Sequence, residues 1–162
     1  MRKYVFVATI LTAAAPAFAD RMPIPSDALP VFKAECGSCH LAFPPALLSA
    51  PDWRQIMGRL EKHYGDNATL DEATRRRIED FLVANAGSGR RTEGAGAAGG
   101  VLPRLTFSNW FRHEHDEVPK GAWSDKRVGS AANCAACHTR AEAGSFSERE
   151  IRMPGGYRHE RD

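Results

Sequence analysis

The sequence lacks three features that would each point to a familiar class of protein. No apolar run is long enough to cross a bilayer comfortably: the stretch from Tyr4 to Ala15 falls well short of the ~20 residues that a membrane-spanning helix needs. There is no strong charge imbalance, only a formal +2, and so no basic excess to suggest nucleic acid. The run Arg75, Arg76, Arg77 reads more simply as the wet side of a helix. Nowhere do apolar and polar residues alternate convincingly with the period of two that marks a half-buried strand. The fold expected is mainly α, with much irregular chain. Cysteine is also scarce, at four residues in 162, and the positions of those four carry most of the chemistry.

What is present begins at the N-terminus. Arg2 and Lys3 precede the apolar run, and Ala17-Phe18-Ala19 stands ahead of Asp20. This is the three-part pattern of a secretory signal peptide with its small-residue cleavage site. Residues 1–19 are therefore expected to be removed, leaving an exported protein with no membrane span. Loss of Arg2 and Lys3 brings the formal charge to zero.

A glycine-rich stretch, residues 87–101, has no hydrophobic period and divides the mature chain nearly in half; it reads as a flexible linker. It separates an N-terminal domain, 20–86, from a C-terminal domain, 102–162. In the first, Trp53, Ile56, Met57, Leu60, His63 and Tyr64 fall at helical spacing on one face. A second helix is expected to start at Asp71, whose side chain can cap free amides, and to carry Ile78, Phe81 and Leu82 into a core. The C-terminal half is broken by proline and glycine. It offers one helix around Ser108 to Val118 and another around its cysteines.

Each half contains one copy of a short signature, Cys36-Gly37-Ser38-Cys39-His40 and Cys134-Ala135-Ala136-Cys137-His138. Four cysteines in an exported chain could form two disulfides, spaced pairs could hold zinc, and a C-x-x-C could be a redox pair if a βαβ context surrounded it. Covalent attachment of c-type haem explains every fixed residue instead. Two cysteines three apart lie on one turn, where both sulfurs reach the vinyl positions along one side of a porphyrin, and the adjacent histidine reaches the iron. Two such units, using every cysteine, favour two covalently bound haem c groups, with Cys36, Cys39, Cys134 and Cys137 as attachment points and His40 and His138 as iron ligands. A haem also supplies the apolar mass that two very small domains lack.

Function then turns on the sixth ligand of each iron. In the first half the candidates are Met57 and His63, and His63 is favoured because its helix face needs a partner and imidazole suits iron; Met57 reads as core. In the second half they are His113, His115, Met153 and His159. His159 lies in the charged tail YRHERD, expected to be frayed. His115 continues a stripe of Phe107, Phe111, His115 and Val118, whereas His113 shares a face with Trp110 only.

Several stretches together resemble the small dihaem cytochrome c family of bacterial periplasms, often called DHC. They are CGSCHLAFPPALLSAPDW, WRQIMGRLEKHYGDNATLDEATRRRIEDFLVANA, NWFRHEHDEVP, VGSAANCAACHTRAEAGSFSE and EIRMP. The resemblance implies two bis-histidine haems, a cytochrome-c-like N-terminal domain and a less regular C-terminal one with few helices. Carried over, His40 and His63 clasp the first iron and His138 with His115 the second. Met153 falls where the family usually has an aliphatic residue, and His113 is an additional histidine. The implied role is one-electron transfer between redox partner proteins, among them a high-spin monohaem cytochrome, the sphaeroides haem protein, and a membrane cytochrome b. The rival readings are a small dihaem peroxidase or reductase, which needs a reachable iron, and a ligand sensor with a displaceable distal histidine.

Overall fold

The computed structural model describes residues 22, 24, 25, 29–96 and 101–157. The expected signal peptide and the tail with His159 lie outside the described residues. Among those residues the fold is helical, with no strand and only isolated bridges such as Ser49 to Gly87.

In the N-terminal half three helices surround one core. Helix α1, Pro30–Cys36, opens on a proline whose fixed φ suits a first helical turn. Helix α2, Ala50–Met57, starts at a reciprocal cap: the Ser49 hydroxyl accepts from the Asp52 amide while the Asp52 carboxylate accepts from the Ser49 amide. Helix α3, Glu72–Ala84, starts where expected, with Asp71 accepting from the Thr74 amide at 3.0 Å. Trp53, Ile56 and Met57 of α2 meet Ile78 and Leu82 of α3, and the Phe32 ring of α1 lies 5.0 Å from that of Phe81. Trp53 also donates its indole N–H to the Pro45 carbonyl at 2.7 Å, so its one polar group is satisfied in the interior.

The face expected to run through Tyr64 is not one helix. Helix α2 stops at Met57, a 3-10 turn covers Leu60–Lys62, and Tyr64 takes φ +51°, the only non-glycine positive φ among the described residues. Gly58 and Gly65 flank the break, and neither favours continued helix.

The glycine-rich stretch also departs from expectation. Residues 97–100 are outside the described set, but those before them are packed rather than loose. The Gly87 amide donates to the Leu48 carbonyl at 2.9 Å, a 3-10 turn covers Gly89–Arg91, and Ala95 is buried. Gly87 passes so close to the Ala46 backbone that a side chain there would collide with it. Its composition therefore serves close approach as much as freedom. Ala95 and Leu102 complete the N-terminal core from the far side of the sequence.

The C-terminal half is built from short pieces. Helix α4, Asn109–Glu114, is capped by Ser108, which accepts from the Phe111 amide at 3.0 Å; helix α5 is Lys120–Trp123. The expected helix to Val118 ends early, because His115 leaves helical geometry at φ −125°. Phe107 sits in a preceding 3-10 turn and is exposed, so it does not share the buried stripe. The cysteine unit is a 3-10 turn, Cys134–Ala136, rather than an α-helix.

Candidate functional site: two facing pairs of histidines

The first site is built at the end of α1. Cys36 closes that helix, Gly37 follows where the Lys33 carbonyl leaves no room for a Cβ, and the turn delivers Cys39 and His40. The His40 ring contacts the Leu41 carbonyl through Nδ1 at 2.7 Å and stacks on Phe43 at 4.8 Å. These contacts leave Nε2 as its available lone pair. Opposite stands His63, its ring centroid 6.1 Å from that of His40 and its plane only 16° away.

The second site repeats the arrangement with different supports. His138 follows Cys137 and donates its backbone N–H to the Cys134 carbonyl at 2.8 Å. Its ring meets Phe146 edge-on at 5.4 Å. His115 faces it with centroids 6.0 Å apart and planes at 74°. His115 contacts the Phe111 carbonyl through Nδ1 at 2.8 Å, stacks on the Phe111 ring at 4.0 Å and has Trp123 at 5.9 Å. Leu47 and Met22, from the other half, also line this cavity.

The separations fit one metal between each pair. A metal–imidazole bond of about 2.0 Å and roughly 1.1 Å from nitrogen to ring centre put two trans imidazoles about 6.2 Å apart. Burial lowers the pKa of His63, with the neighbouring His40 adding to the effect and Asp66 opposing it. Burial, then His115, pushes His138 down to about 4. Both rings are therefore neutral near pH 7, as ligation requires. Their Nδ1 atoms are buried without a partner, which is expensive unless the cavity is filled by a group that belongs there.

The cysteines fit the same group. All four are free, and burial raises the thiols of Cys36 and Cys134 to about 11 and lifts that of Cys137. Those three are thus not the exposed, low-pKa thiols of a redox pair. Among the described residues no three His, Cys, Asp or Glu side chains converge as a tetrahedral zinc site needs. A porphyrin brings four nitrogens of its own, so two facing histidines suffice.

The other candidates lie elsewhere. His113 is exposed, its Nδ1 3.7 Å from the Asp116 carboxylate. Met57 is buried in the N-terminal core, and Met153 lines the second cavity half-buried. Sequence reasoning missed Phe43, Phe146 and Trp123 as ring neighbours. Only Phe43, three residues beyond His40, gave a local signal.

Two cysteine units, each set beside a facing histidine pair, define a protein built around two covalently held haems. The profile of the family described as dihaem cytochrome c, DHC, matches residues 32–146. A diheme cytochrome type c from Shewanella baltica OS155 is similar over 81% of this chain and 97% of its own, with 38% identity and a TM-score of 0.69. The diheme cytochrome c from Rhodobacter sphaeroides is 42% identical over 74% of this chain and 98% of its own, with a TM-score of 0.63. No match was found among curated proteins. The chain belongs to the dihaem cytochrome c family, and it is a dihaem c-type cytochrome with two covalently bound haem c groups.

Proposed function

We propose that the protein is an exported, periplasmic one-electron carrier in which His40 and His63 hold the first iron and His138 and His115 the second. The observation that carries this reading is the pair of imidazole separations, 6.1 and 6.0 Å, beside the two cysteine units. Haem, when bound, supplies a one-electron Fe(III)/Fe(II) couple whose potential lies lower with two histidines than with histidine and methionine. The chain does the rest. Cys36, Cys39, Cys134 and Cys137 anchor the groups through thioethers. With haem bound, each facing pair of imidazoles would hold its iron from both sides, which would let oxidation states interchange with little rearrangement and keep substrates from the metal. The Leu41 and Phe111 carbonyls fix the His40 and His115 rings, a contact that also tunes ligand basicity. Phe43, Phe111, Trp123 and Phe146 orient the rings and exclude water.

A filled coordination shell favours electron transfer over peroxidase or reductase chemistry. Its partners would be other redox proteins, including a high-spin monohaem cytochrome of the sphaeroides haem protein type and a membrane cytochrome b. Among the described residues no helix is long and apolar enough to cross a membrane. Low-temperature EPR of the ferric protein, with carbon monoxide added to the ferrous form, tests the reading. Two low-spin signals and no adduct on mixing are expected. A high-spin signal or prompt adduct in the native protein would overturn it in favour of an enzyme.

A further inference from the structure

The four histidines are not held equally. His40 has the Leu41 carbonyl and the Phe43 ring, and His115 has the Phe111 carbonyl and the Phe111 ring. His138 is fixed by its own backbone: it receives the Ala141 amide at 3.0 Å, donates to Cys134 and bridges to Ile151. His63 shares with His138 an unpartnered Nδ1, and its ring neighbour besides His40 is only the next residue along the chain, Tyr64, edge-on at 4.8 Å.

Tyr64 is also where the backbone is least comfortable. It occupies φ +51°, a region that a residue with a Cβ enters only when its surroundings insist. Gly65 follows at φ +111°, and the Asp66 amide returns to the His63 carbonyl at 3.0 Å to close a tight turn. What holds Tyr64 there comes from the other half of the chain. Its hydroxyl donates to the Pro103 carbonyl, and the Arg104 guanidinium lies over its ring at 4.7 Å. That anchor is itself fixed: Leu102 and Pro103 are buried, and the Arg104 amide donates to the Ala95 carbonyl at 2.9 Å.

We propose that Tyr64 is a positioning residue for His63, through which residues 102–104 set how firmly the first distal ligand is held. This rests on His63 being that ligand. While the phenol is seated, the turn over residues 63–66 keeps one shape and His63 faces His40. When the hydroxyl loses Pro103, the turn relaxes toward ordinary φ and the ring can swing aside. The coordination position so exposed would take a small neutral diatomic such as carbon monoxide on ferrous iron. At the second site His115 lies against Phe111, of the helix it follows, and against Trp123.

The test uses the full holoprotein with Tyr64→Phe, which removes the hydroxyl and keeps the ring. Losing one hydrogen bond of ordinary net worth predicts a rise of roughly two- to ten-fold in the carbon monoxide adduct at equilibrium. The rise should be confined to the first haem, together with a shift of its g-values, while the second haem's signal stays in place. Unchanged g-values and unchanged adduct in Tyr64→Phe would overturn the proposal. So would equal changes at both haems, because a general loss of stability would move both. His63→Ala separates the two readings: if it leaves both haems low-spin, the ligand assignment itself fails. If it turns the first haem high-spin while Tyr64→Phe does nothing, only the positioning role fails. Arg104→Ala provides a second route and should change the first haem in the same direction.

Discussion

The imidazole planes of His115 and His138 stand at 74° to each other across a centroid distance of 6.0 Å, while those of His40 and His63 lie within 16°. Parallel rings act on the same iron dπ orbital and split the pair; crossed rings act on both nearly equally and leave them close in energy. The ferric protein should therefore show two distinct low-spin EPR spectra, one of ordinary rhombic form and one with much larger g anisotropy. His115→Ala should abolish the second and His63→Ala the first. Two superimposable rhombic signals would mean that the 74° crossing is not kept when haem is bound.

The neighbouring histidines 113 and 115 make opposite predictions. His115 is part-buried against Phe111 and faces His138, whereas His113 is exposed beside Asp116. His115→Ala should turn one haem high-spin and allow it to bind carbon monoxide. His113→Ala should leave both spectra unchanged and alter stability by no more than about 0.5 kcal/mol, as for most surface changes. Absorption spectra of the two variants, with and without carbon monoxide, decide between them.

Trp53 joins the N-terminal core to the segment that follows the first cysteine unit, through its hydrogen bond to the Pro45 carbonyl. Trp53→Phe keeps most of the apolar contact but leaves that carbonyl unpaired in the interior. A loss of about 1–3 kcal/mol is expected in guanidinium unfolding of the holoprotein. An unchanged midpoint would show that water reaches Pro45.

Glu72 gives a pH dependence with a definite sign. Hydrogen bonds from Arg75 at 2.8 Å and Arg76 at 2.6 Å lower its pKa from the ordinary 4.5 to about 2. Its folded-state value is depressed, so its contribution is present above pH 4.5 and is lost as pH falls toward 2. The pairs are exposed, so the effect is small. Thermal midpoints of the native protein and Glu72→Gln should differ slightly at pH 6 and converge near pH 2. A gap that widens in acid would contradict the pairing.

The two cysteine units were legible because thioether attachment is a local device: three residues of spacing and an adjacent histidine state it in full. Asp71 as a helix cap was legible for the same reason. His63 and His115 were reached through helical phase, and they do face His40 and His138, but by another route. The chain leaves α2 six residues before His63 and leaves α4 just before His115. The first break is marked in sequence only by Gly58 and Gly65, and the second has no comparable mark; in the fold Tyr64 bonds to Pro103 and His115 lies against Trp123, contacts that no local pattern announces. Glycine content likewise suggested slack in residues 87–96, where small residues instead let backbones touch.

Leu47 of the first half walls the second cavity, and Ala95 and Leu102 seal the first core from beyond the N-terminal helices. Each half therefore lends the other a surface. The two cannot be exchanged like cassettes between related proteins, or expressed apart, without opening an apolar seam on both. The junction is part of the interior, and the two haem-binding units make one object.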